Sequence, residues 1–137
     1  MTKALTICTI SNGGRSQTYF GERDYALVGD LNFMVSDRID AQNFRLRSSA
    51  PGYQSDWHVA GDPTLLIILE GTIKIELRSG EYREFSVGDM FIAEDYLGSA
   101  IEFDQRVHGH RAEVVGEQTL LALHLKLDFL KTFVSTS

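Results

Sequence analysis

Cysteine is all but absent from this chain of 137 residues: Cys8 stands alone, so no internal disulfide can form and a disulfide-stapled secreted scaffold is excluded. Proline is nearly as scarce, with two residues. The longest unbroken apolar run, residues 65–69, falls far short of the ~18 residues of a membrane-crossing helix, so no membrane partner is expected. No stretch repeats apolar residues at helical spacing over three turns. Positive charge is in deficit: 13 Lys and Arg face 19 Asp and Glu, and a net charge of −6 speaks against a nucleic-acid partner. The chain starts with an apolar stretch broken by Thr6 and Thr9, which suits a first strand better than a signal peptide. The expected location is the cytoplasm.

What remains is the composition of a folded globular protein, 43% apolar and 23% charged, in a length that suits one domain over 1–137. Short β-branched runs separated by turn signals point to strands. Residues 31–35 and 43–47 read as short strands, and 64–69 is a continuous apolar run. After the Glu70-Gly71 turn, Ile73, Ile75 and Leu77 alternate with Lys74, Glu76 and Arg78, which places the two sets on opposite faces. Ser79-Gly80 is a second tight turn; 82–87 alternates again, and Gly88-Asp89 precedes the apolar 90–93. A last strand is expected over 119–127, with Leu121, Leu123, Leu125 and Leu127 on one face. His124 shares the other face with Leu120, Ala122 and Lys126; Lys126 suggests that this face reaches solvent towards one end, and His124 reads as an ordinary strand residue or as a hydrogen-bonding group within the barrel. Residues 99–109 read as a loop, and 134–137 as a frayed end. Such short, regularly punctuated strands describe an all-β sandwich or barrel.

From Gly52 onward the spacing becomes specific. Gly52, His58, Ala60, Thr64 and Gly71 stand at the intervals of the first motif of the cupins, where metal-binding members have Gly, His, His, Glu and Gly. Gly88-Asp89 opens the second motif, Glu94 stands at its usual proline, and its histidine falls at Ser99, with His108 and His110 next along the chain. Pro51-Gly52-Tyr53, Asp56-Trp57-His58, Ala93-Glu94-Asp95, Gly109-His110 and Val114-Val115-Gly116 resemble segments of small single-domain cupins of unassigned activity. The resemblance covers about 44–127. It implies a double-stranded β-helix (jelly-roll) barrel, a homodimer and a small-molecule ligand inside the barrel, and it names no reaction.

The residues offer two chemistries. A divalent metal ion needs about three protein ligands. His58 and His110 are the first candidates, and His108 joins them if it lies two apart from His110 on one strand face, with Asp56, Glu94 or Asp95 supplying a carboxylate. Ala60 and Thr64 replace two of the four usual ligands, so a firmly held metal is expected only if His108 compensates. The second chemistry is metal-free: a histidine, His58 or His110, oriented by Glu94 or Asp95, serves as a general base, as in some cupin epimerases and isomerases. The alternative for Glu94 and Asp95 is a strand end whose carboxylates cap backbone amides. Tyr53, Trp57, Thr64 and Asp95 are expected to contact the ligand, or, for the aromatic pair, to pack at the barrel mouth. Cys8 has no neighbouring histidine and is not expected to act as a nucleophile.

Three functional classes follow: a small-molecule enzyme centred on His58 and His110, a non-catalytic ligand-binding or sensor protein, and an interaction protein. The retained His58 favours a working pocket over a filled core. For the dimer, the N-terminal strand, residues 5–10, is the segment expected to pair across subunits.

Overall fold

In the computed structural model, which describes residues 1–128, ten strands follow one another with a single turn of 3₁₀ helix at Gly14–Ser16. They are β1 (Thr2–Asn12), β2 (Thr18–Asp30), β3 (Phe33–Val35), β4 (Ala41–Ser49), β5 (Thr64–Glu70), β6 (Thr72–Leu77), β7 (Tyr82–Phe85), β8 (Met90–Glu94), β9 (His110–Val115) and β10 (Leu120–Leu127). The expected frayed end at 134–137 lies outside the described residues. No helix among the described residues is long and apolar enough to cross a membrane.

One sheet runs β3-β2-β1-β8-β5-β10-β4 and the other β7-β6-β9. Residues 54–58 extend the second sheet beyond β9 through the antiparallel bridges Gln54↔Glu113 and His58↔His110. From β4 on, the chain passes to residues 54–58 in the opposite sheet, back to β5, across to β6 and β7, back to β8, across to β9 and finally to β10. This alternation, with β4-β10-β5-β8 facing (54–58)-β9-β6-β7, is the strand order of a jelly roll, so the all-β expectation is met in its specific form. The turn between β5 and β6 depends on Gly71, whose φ is +77° and whose missing Cβ would stand 2.6 Å from the Thr119 carbonyl oxygen.

The space between the sheets holds the main core, built from Ile10, Ile68, Ile73, Ile75, Phe85, Phe91 and their neighbours. A second cluster of Ile7, Ile92 and Leu127, with Leu65 and Leu125 packed on it, forms on the outer face of the larger sheet. Leu121, Leu123, Leu125 and Leu127 of β10 therefore look outwards, whereas Leu120, Ala122 and His124 look inwards. The His124 face reaches solvent towards one end: Lys126 extends to Asp62 at 3.4 Å with its side chain 42% exposed, while His124, two residues earlier, lines the cavity.

The topology adds two points to the sequence reading. β1 pairs with β2 along its length and runs parallel to β8 over Cys8–Ser11 on its other side. The edges of the larger sheet are β3 and β4. Strand β2 has no counterpart in the sequence reading: its burial alternates between partial and exposed, so neither face is apolar enough to give a strand pattern.

Candidate functional site

Strand β8 carries Phe91 and Ala93 on the face turned towards the opposite sheet, and Asp95 continues that alternation one step past the strand end. The Asp95 side chain is fully buried. Its Oδ2 lies 2.6 Å from His110 Nδ1 and accepts a 3.1 Å hydrogen bond from the Thr18 hydroxyl, while Oδ1 accepts the Ala60 N–H at 2.9 Å. With donors at both oxygens, Asp95 acts as acceptor. The His110 Nδ1–H therefore donates, and Nε2 is left with a lone pair on the cavity side.

His110 opens β9, and its backbone exchanges two hydrogen bonds of 2.9 Å with that of His58. The pairing needs Gly109, which sits at φ +89° with its absent Cβ only 2.3 Å from the His58 carbonyl oxygen. The two imidazoles then meet with ring centres 4.5 Å apart at 58°. The His58 Nδ1–H donates to the Asp56 carbonyl at 2.9 Å, which turns its Nε2 into an acceptor as well. Desolvation by the pocket wall holds the His58 imidazole below the usual histidine range, outweighing the Asp56 carbonyl, which works the other way.

These groups border a cavity of about 500 Å³ between the sheets. Its buried wall is aliphatic and aromatic, with Leu66, Ile73, Ile75, Phe91, Val114 and Leu120. Its open end carries Arg45, Arg47, Tyr53, Asp56 and His58. The registers Arg45↔His124 and Arg47↔Ala122 place both arginines on the inward side of β4, beside His124 of β10. Arg47 donates to the Tyr53 hydroxyl at 3.3 Å, and its guanidinium lies 5.6 Å from that ring centre. Burial, followed by the charges of Arg47 and Arg45, pushes the His124 imidazole down.

Of the residues expected from sequence, His58, His110, Tyr53 and Thr64 line the cavity. Asp95 stands behind His110 instead of facing a ligand. Glu94 does not belong to the site. It projects to the outer face of β8, where Arg23 binds it at 2.6 Å and Ser11 donates to it at 2.9 Å. The period of the strand decides between the adjacent carboxylates, since residues sharing a face with Phe91 and Ala93 are odd-numbered here. Trp57 is also elsewhere, its ring held by the guanidiniums of Arg78 at 3.8 Å and Arg111 at 4.9 Å. His108 does not join His110, because the left-handed Gly109 breaks the strand alternation between them. Its Nδ1 accepts the Asp104 N–H at 2.9 Å within the 99–109 loop.

The donor set does not fit a divalent ion. Ala60 and Thr64 occupy two of the motif's ligand positions, and the Thr64 hydroxyl donates to the Asp62 carbonyl at 3.0 Å, which leaves His58 and His110 as two imidazoles where about three ligands are needed. Among the described residues no three His, Cys, Asp or Glu side chains converge as metal ligands would. Sequence reading missed Arg45 and Arg47, and it left His124 as a strand residue outside the site. The signal was present in the i, i+2 spacing of the two arginines, but two cations on one face of a strand ordinarily mark its solvent side.

No protein-family model matches the chain, and no curated protein does. Similar solved structures include a cupin-2 domain protein from Shewanella frigidimarina, at 16% identity and a TM-score of 0.43 over 66% of this chain and 78% of that one. The cupin domain of Cnp3 from Schizosaccharomyces pombe is 11% identical, with a TM-score of 0.43 over 97% and 88%. The polyketide cyclase RemF from Streptomyces resistomycificus is 16% identical, with a TM-score of 0.44 over 91% and 74%. The jelly-roll assignment rests on the strand order given above.

Proposed function

We propose that this protein is a small-molecule enzyme that transfers protons inside its barrel without a metal ion, with His110 as the base and Asp95 as the residue that orients it. The observation that carries this reading is the buried 2.6 Å contact between Asp95 Oδ2 and His110 Nδ1 at the edge of the cavity. A carboxylate fixed behind an imidazole sets the tautomer, aims Nε2 at the ligand and stabilises the imidazolium formed when Nε2 takes a proton; such base catalysis contributes roughly 10²–10⁴ in rate. In the step proposed, Nε2 removes a proton from the carbon next to a carbonyl group. The C–H electron pair shifts to give an enolate, and the imidazolium returns the proton to carbon. His58 is the second group with a free acceptor nitrogen facing the same space.

Proton exchange into substrate tests this directly. Small ketones, aldehydes and oxo acids incubated with the protein in D₂O are expected to lose α-proton signal by NMR in at least one case, and His110→Asn is expected to abolish that loss. Binding without exchange across the whole panel would remove the catalytic reading and support a ligand-binding or sensor protein.

A second copy of the chain is the proposed partner, packed on the outer face of the larger sheet. Leu123 and Leu125 of β10 are flanked there by their register partners Leu46 and Phe44 of β4, which are 59% and 63% exposed. Leu65 and Ile67 of β5 continue the same face on the other side. A contiguous aliphatic surface of this kind marks an interface more readily than a solvated face.

A further inference from the structure

Resting on the reading of this cavity as a substrate site, we infer that its ligand is a small organic carboxylate, with the anionic head at Arg45 and Arg47 and the body against the aliphatic wall. The charge arrangement carries the inference. Arg45 and Arg47 stand two apart on the inward side of β4, about 7 Å from each other along the strand. Neither enters an ion pair formed among the described residues, and both line the same cavity. In a chain of net charge −6, two uncompensated guanidiniums at one cavity mouth are a local reversal of sign. The carboxylates near them are otherwise engaged or few. Asp95 is committed to His110, and Asp56 is the single acidic side chain lining the open end.

Guanidinium groups bind carboxylates through paired N–H donors, and Tyr53, which already accepts from Arg47, holds one of them towards the opening. The deepest part of the wall behind them is apolar and buried, with Leu66, Ile73, Ile75, Phe91 and Val114, and suits the body of such an acid. A cavity of about 500 Å³ matches a compact acid with an apolar body. A carboxylate head beside Arg47 would also present its neighbouring carbons to the Nε2 side of His110.

Titration calorimetry with phenylacetate and 4-methyl-2-oxopentanoate, each against its neutral amide, tests the assignment on the full chain. The expected result is that at least one acid binds and that its amide binds tenfold or more weakly. Arg45→Gln and Arg47→Gln should each weaken the acid at least tenfold, Arg47→Lys should recover part of that loss, and all three should keep the parent melting temperature. Equal binding of acid and amide, no binding of either acid at millimolar concentration, or full affinity in both Gln variants would overturn it. Acid binding with no deuterium exchange in any compound would remove the proton-transfer reading and leave the anion site standing. Exchange into neutral ketones with no preference for acids would do the reverse.

Discussion

Asp95 and His110 come from the two opposing sheets of the barrel and meet at 2.6 Å, with the carboxylate's other oxygen tied to the Ala60 N–H. That backbone donor fixes what an amide in place of Asp95 would have to do. In Asp95→Asn the side-chain oxygen must still accept from Ala60, so the NH₂ group turns towards His110 Nδ1. The imidazole then moves its proton to Nε2 and loses its base on the cavity side. Exchange activity should fall by roughly 10²–10⁴, and stability by about 1–3 kcal/mol as a buried pair is mismatched. Nitrogen-15 NMR of the His110 ring should show the tautomer switch; an unchanged Nδ1–H tautomer in the variant would contradict this account.

Gly109→Ala places a methyl group 2.3 Å from the His58 carbonyl oxygen and asks alanine to adopt φ +89°. Relief requires β9 to move away from residue 58, which breaks the paired backbone hydrogen bonds that set the two imidazoles side by side. The cost of the conformation alone is about 1–3 kcal/mol. Denaturant unfolding should show at least that loss, and ligand binding should drop with it. A variant with parent stability would show that the close approach at Gly109 is not a constraint.

His58 and His124 are both held below the ordinary histidine value of 6.5, chiefly by burial and in part by Arg47. The unfolded chain therefore binds protons at a higher pH than the folded one does. Stability from these two groups is complete above about pH 6.5 and declines as the pH falls through their lowered folded values. Melting temperature measured from pH 8 down to 5 should drop, and the drop should be shallower in the double variant His58→Asn, His124→Gln. An anion bound beside Arg47 offsets the charge that depresses both rings, so ligand binding should be accompanied by proton uptake below neutrality, measurable by calorimetry in buffers of different ionisation enthalpy.

Phe44→Glu with Leu46→Glu puts two carboxylates on the exposed outer face of β4. Both positions already meet solvent in the single chain, so folding should be retained. Light scattering at tens of micromolar is expected to give a dimer for the parent and a monomer for the double variant. A monomeric parent would contradict the proposed partner.

Strand β6 is legible in sequence because one face is buried and its hydrophobicity has a period of two, and β5 and β8 because apolar residues on both faces give unbroken runs. Tight turns at Gly71, Gly80 and Gly88 are legible for a related reason, since each glycine has a left-handed φ that other residues rarely adopt. Strand β2 is not, because one face is exposed and the other only partly buried, with Arg23 between Phe20 and Tyr25, and it is specified by its pairing with β1. Within the site, the spacing from Gly52 pointed to His58, and the Gly109-His110 dipeptide to His110. The choice of Asp95 over Glu94 followed from strand parity once the inward set at Phe91 and Ala93 was known. Arg45, Arg47 and His124 required knowledge that β4 and β10 form one wall of a cavity, which depends on pairing between residues some eighty positions apart and leaves no local mark.

Thr18, which donates to Asp95 Oδ2, and Asn12, whose amide donates to the carbonyls of Asp95 and Tyr96 at 2.9 and 2.6 Å, both belong to the N-terminal hairpin, outside the eight-stranded jelly roll. The hairpin is therefore wired into the Asp95–His110 pair, and a barrel trimmed to its eight strands would hold the base of the proposed reaction differently. Exchanging this arm between related barrels offers a way to retune the base without touching the base itself.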